Sequence, residues 1–252
     1  MAAAEQAREA VTPKAGLYIA SIAAAGLALL TLGLSHWQSS GTARFAAFFF
    51  LAAAASTQKI RLPRMRGTMS LSFLFILIGI ANFSFSETLL LGCTAALIQT
   101  FWMAKRQPRV EQVVFNIATL VLCAGFADWM GHEASVLART NSLVLLIAAA
   151  TFLFLVLNTG LVAVVISLTE QKPFGKEWLY CFYWSFPYFL VGGVAAGLVS
   201  ALSRSSGWFS GLLVLPLMYL CHLWYQIHVQ NAIQEQATEP EPEANSVLAE
   251  TL

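Results

Sequence analysis

Residues 59–87 read KIRLPRMRGTMSLSFLFILIGIANFSFSE, and the fold turns on this stretch. Four cations come first: Lys59, Arg61, Arg64 and Arg66. Pro63 and Gly67 break the backbone among them. An apolar run follows and closes on one acid, Glu87. Fixed positive charge at the foot of a hydrophobic segment is an orientation signal for a membrane helix. The topology is argued outward from it.

Composition agrees. Of 252 residues, 58% are apolar and only 11% charged. Soluble domains hold roughly 45–50% apolar and 25% charged residues. So few charges cannot screen so much apolar surface from water, which makes the bilayer the solvent for most of the chain. Net charge is +1, and no basic groove interleaved with aromatics is visible, so nothing points to nucleic acid. The cysteines, Cys93, Cys123, Cys181 and Cys221, lie singly in apolar runs with no CxxC spacing. They read as packing residues.

The hydropathy pattern predicts an all-α, polytopic membrane bundle of about eight transmembrane helices. The spans fall at about 15–34, 43–58, 68–85, 88–104, 112–130, 140–168, 178–202 and 207–229. The first is too long for the ~7–15-residue core of a signal peptide and reads as an uncleaved helix. It starts at Thr12-Pro13, proline being tolerated in a first helical turn. Ala20, Ala24 and Ala28 recur along it at a spacing that permits close helix contact, or that simply reflects alanine richness. The segments around 43–58 and 68–85 are the weakest spans; as a re-entrant hairpin they would leave the other loops on their sides.

With the N-terminal tail, 1–14, inside the cell, eleven of the 14 lysines and arginines fall on the inner side. The exceptions are Arg44, Arg139 and Arg204. That alternation satisfies the positive-inside rule. It places both termini in the cytoplasm. The tail, 230–252, carries five glutamates and no cation, and reads as a disordered acidic segment.

Polar groups inside spans are costly and mark candidate sites. They are Asn82, Glu87, Gln99, Asn116, Asp128 and Asn158, with His222, Gln226 and His228 in the last span. One reading makes Asn82, Glu87 and Asp128 an outward-facing ligand pocket whose state the inner amides Gln99 and Asn116 relay. The other makes the amides interhelical bonds of about 1 kcal/mol each and leaves the acids in interfacial water. His222 and His228 are six apart, on different helix faces, so no haem or metal pair is expected and no cofactor is assigned. HExxH, GxSxG and P-loop signatures are absent, which argues against an enzyme. Gly192, Gly193 and Gly197 form a close-contact face, used within the chain or as a homodimer seam through Gly193 and Gly197. Pro187 and Pro216 are expected to kink their helices. The aromatics from Trp178 to Tyr188 read as an interfacial belt.

The residues of 57–125 resemble the membrane-associated sensor (MASE-type) regions that precede bacterial GGDEF diguanylate cyclase and related signalling domains. The features that match are Arg61-x-Pro63, Gly67-Thr68-x-Ser70, Glu87, the basic loop Arg106–Arg109 with its proline, and Phe115-Asn116. The resemblance implies a multi-helix input module with a cytoplasmic C-terminus. No output domain follows the last helix here, so cyclase activity is not implied. The expectation is a sensor-like module that binds a small molecule and signals to a cytoplasmic partner, with Lys59, Arg61, Arg64 and Arg66 facing that partner. A small-molecule transporter, or its membrane substrate-binding component, is the alternative; a structural or assembly protein is the third.

Overall fold

The computed structural model describes residues 12–39, 41–61, 68–102, 104, 107–137, 139 and 142–238. Arg64, Arg66, Pro63, Gly67 and Arg106 lie outside the described residues, as do the chain's first eleven residues and 239–252. The chain is a helical membrane bundle. Its helices are α1 (Pro13–Ser35), α2 (Thr42–Ser56), α3 (Ser72–Asn82), α4 (Phe85–Phe101), α5 (Val110–Leu137), α6 (Leu143–Glu170) and α7 (Phe174–Ser206). A short turn α8 (Trp208–Gly211) and the long α9 (Val214–Thr238) together make the last segment. Among the described residues, five segments, α1, α5, α6, α7 and α8–α9, are long and apolar enough to cross a bilayer.

The remaining three are shorter, and α3 is the shortest, at 11 residues. At 1.5 Å per residue it is about 16 Å long, roughly half a hydrocarbon core of ~30 Å. The sequence had placed a span over 68–85. Instead, Thr68–Ser70 forms a strand, antiparallel to Lys59–Arg61, with Lys59 opposite Ser70 and Arg61 opposite Thr68. Lys59 and Arg61 therefore lie on a strand of a small hairpin, β1 (Lys59–Arg61) and β2 (Thr68–Ser70), rather than on a bare loop.

The helix α3 is the hub of the bundle. Every residue from Ser72 to Ala81 is buried. Helices α2, α4, α5, α6 and α7 all pack against it. Its sequence, SFLFILIGIAN, is apolar on all sides, the pattern of a helix with no solvent-facing stripe. Phe73 meets Tyr188 and Phe189 of α7 at ring-centroid distances of 5.1 and 4.5 Å, and Phe189 reaches Phe154 of α6 at 5.8 Å.

Close approach elsewhere is made by glycine. A Cβ on Gly26 would stand 2.6 Å from the Ala118 Cβ, so α1 and α5 touch there nearly backbone to backbone. Gly33, seven residues on, leaves room for Leu89. Ala20, Ala24 and Ala28, the stripe with contact spacing, are exposed and face away from the bundle. The contact face of α1 is Ala15, Gly26 and Gly33.

Three further boundaries differ. Helix α5 runs on to Leu137, through residues read as a loop, so His132 and Glu133 are helical. Helix α9 continues to Thr238, so 230–238 is helix and not the start of the tail. The last segment is broken at Leu212-Leu213. Pro216 explains it: a proline cannot donate to the carbonyl four residues back, and its ring collides with it. That carbonyl belongs to Leu212.

Candidate functional site

The polar groups picked from the sequence gather mainly at the two ends of α3. At the hairpin end, the Ser70 and Ser72 hydroxyls are 2.6 Å apart, and Ser70 donates to the Gln99 side-chain oxygen at 3.1 Å. Asn116 of α5 donates to the Thr100 hydroxyl of α4 at 3.1 Å. Gln99 and Thr100 are neighbours in the last turn of α4. This collar ties β2, α3, α4 and α5 together where the cationic hairpin begins. Lys59 of that hairpin donates to the Trp102 carbonyl.

At the other end, α3 stops at Asn82 and α4 starts at Phe85. The sequence Ser84-Phe85-Ser86-Glu87 forms a capping box. The Glu87 backbone N–H donates to the Ser84 hydroxyl at 3.3 Å, and the Ser84 N–H donates to a Glu87 carboxylate oxygen at 3.0 Å. Two of the orphan donors that open every helix are thereby met. Glu87 is fully buried, and its other oxygen accepts from Ser39 at 3.3 Å. It is therefore the third residue of a helix, not an acid in the turn before one. The residues S-x-x-E carried that signal.

Asn82 donates to Ser200 of α7 at 2.7 Å and to the Ile78 carbonyl at 3.0 Å. Two arginines complete the collar. Arg44 of α2 donates to the Asn82 carbonyl and lies 5.0 Å over the Phe83 ring. Arg204 of α7 donates to the Ala81 carbonyl at 2.9 Å. Cations at a helix C-terminus are favourable because the carbonyls there carry partial negative charge. Neither arginine, nor Ser200, was singled out from the sequence as a site residue. Beside this bend, a recess of about 390 Å³ is bounded by Gly33, His36, Gln38, Ser84 and Ser86.

Two residues of the expected set stand apart. Asp128 pairs with His132 on its own helix, with 3.6 Å between the imidazole Nδ1 and the carboxylate. Asn158 is half-buried along α6. Between the two collars, α3 presents Phe73, Leu74, Phe75, Ile76, Leu77, Ile78 and Ile80, all buried.

A separate polar cluster lies between α7 and α9. Tyr188, the last residue of the expected interfacial belt, is instead a core residue, with its hydroxyl 2.7 Å from His222 Nδ1. Tyr225 stacks on Tyr188 at 5.2 Å and donates to the Trp184 carbonyl. His222 is fully buried, whereas His228 is exposed on another face and stacks on Trp224. The glycine face of α7 is occupied within the chain: Gly192 by Phe73 and Gly193 by Thr151.

Comparison with known protein families, with curated proteins and with solved structures found no match.

Proposed function

We propose that this chain is a sensor-like membrane module. A small molecule is taken up at the bend between α3 and α4, and α3 carries the change to the cationic hairpin, where a cytoplasmic partner reads it. The observation behind this reading is the setting of α3. A short rigid helix, buried on every side, is held by polar collars at its two ends. One collar adjoins the recess; the other adjoins β1 and β2. A packed helix with fixed ends moves as a unit rather than deforming along its length. From Phe73 to Ile80, α3 itself carries no polar side chain, which favours relayed motion over transport of a polar solute along this helix. The positive-inside count orients the module, with the hairpin and both termini in the cytoplasm of a bacterial cell. The resemblance of 57–125 to MASE-type regions agrees with an input role.

Hydrogen exchange tests the coupling. Asn82→Ala with Ser200→Ala removes the bond at one end of α3. Faster amide exchange in Lys59–Arg61 and Thr68–Ser70, at the far end, is the expected result. Unchanged exchange in both strands, with local loosening at Asn82 alone, refutes a relay through α3.

A further inference from the structure

Arg44 and Arg204 carry charges that no carboxylate answers among the described residues. They come from helices far apart in sequence and converge on successive carbonyls, those of Asn82 and Ala81. Glu87, the buried acid nearest in the chain, already accepts from Ser84 and Ser39. Each guanidinium has five N–H donors. One on each is used at α3, and the Nε of Arg44 is buried without an acceptor. Two forked, incompletely satisfied cations anchored on successive carbonyls are the chemistry that recognises an oxyanion.

Their level along the bundle narrows the source. Phe50 on α2 and Leu198 on α7 are exposed apolar residues, each six positions from its arginine toward the middle of its helix. Six helical residues rise about 9 Å. Trp37, exposed, packs edge-on against Phe45 at 6.4 Å, beside Arg44, and tryptophan favours the bilayer interface. The arginines therefore sit just past the apolar band, where lipid phosphates lie. We propose that Arg44 and Arg204 together bind a phosphate oxyanion, supplied at this level by the phosphodiester of an anionic lipid headgroup. The proposal stands apart from the sensor reading.

The test is native mass spectrometry of the full chain after equilibration with phosphatidylglycerol or phosphatidylcholine, with inorganic phosphate in neutral detergent as the second arm. Arg204→Gln removes the charge but keeps a side-chain N–H donor for the Ala81 carbonyl, and circular dichroism verifies that the fold is retained; Arg44→Lys keeps the charge and loses the fork. Phosphatidylglycerol retention should drop about tenfold in Arg204→Gln, the loss of one charge-assisted bond. A smaller drop is expected in Arg44→Lys, and none in Arg139→Gln. Thermal stabilisation of wild type but not Arg204→Gln by millimolar phosphate, without lipid retention, supports the oxyanion site and overturns the lipid as its source. Equal retention in wild type and Arg204→Gln, with no phosphate effect in either, overturns the site.

Discussion

Replacing the glycines of α7 one at a time by alanine should give effects of opposite sign, and the packing says which. A Cβ at Gly192 would lie 2.0 Å from Phe73 Cζ and 2.3 Å from its Cε2. Carbon atoms in contact sit about 3.5–4.0 Å apart, so the ring must retreat by roughly 1.5 Å. It has nowhere to go: Phe73 is buried on the central helix and touches Tyr188 and Phe189. Overpacking of this kind costs about 1–3 kcal/mol, and the upper half of that range applies. Alanine returns up to about 1 kcal/mol of helix propensity. Gly192→Ala should therefore destabilise by about 1–2 kcal/mol net.

At Gly197 the nearest atom to a new Cβ is Ile147 Cγ2 at 3.9 Å, an ordinary contact. Only the propensity gain is left, so Gly197→Ala should stabilise by up to about 1 kcal/mol. Gly193 is intermediate, since Thr151 stands 2.7 Å away but can turn about one bond. Unfolding in mixed micelles, followed by far-ultraviolet circular dichroism against rising dodecyl sulfate, measures all three. A Gly197→Ala variant as damaged as Gly192→Ala would refute the reasoning. It would mean that Gly197 meets a close neighbour outside this chain, as in a homodimer seam.

Two further outcomes use the same unfolding assay. Ser84→Ala should cost about 0.5–2 kcal/mol, the usual range for an N-cap, Glu87→Ala should cost a similar amount, and the double variant should cost less than the sum, because the two residues form one capping box. Tyr188→Phe removes the hydroxyl bonded to the buried His222 and should cost about 1–3 kcal/mol; adding His222→Leu should recover most of it, since replacing both partners of a buried hydrogen bond by apolar groups is nearly neutral.

Helix number and membrane character were legible because each needs only a count of apolar residues between charges. What each helix faces was not. In water, an apolar face points inward. In a bilayer, lipid and protein interior are equally apolar, so hydrophobicity cannot separate the two. Hence Ala20, Ala24 and Ala28 carried the right spacing but face outward, while Gly26 and Gly33 make the contact. Hence also the apolar run after Gly67 says nothing of whether its helix meets lipid, and α3 is encased by its neighbours. Local chemistry was more informative than hydropathy. Ser84-x-x-Glu87 marks a helix start, and Pro216 marks the break four residues before it. The candidate site was half legible. Asn82, Glu87, Gln99 and Asn116 stand out as polar residues in apolar runs, and they do lie at the collars. Ser200, Arg44 and Arg204 come from distant positions that only the packing brings together.

The two arginines also explain how a half-length helix survives inside such a bundle. A helix ends with four carbonyls that lack intrahelical donors, and away from water each must find another partner. At the end of α3, the Gly79 carbonyl accepts from the Phe83 N–H, Ala81 from Arg204 and Asn82 from Arg44. The donors had to come from outside the helix, because only two residues separate it from α4. That bears on the charge count used to orient the chain. Three cations, Arg44, Arg139 and Arg204, stand on the cation-poor side. Two of them bind the end of α3, so their position is set by the need to satisfy a buried helix terminus and carries no information about membrane orientation.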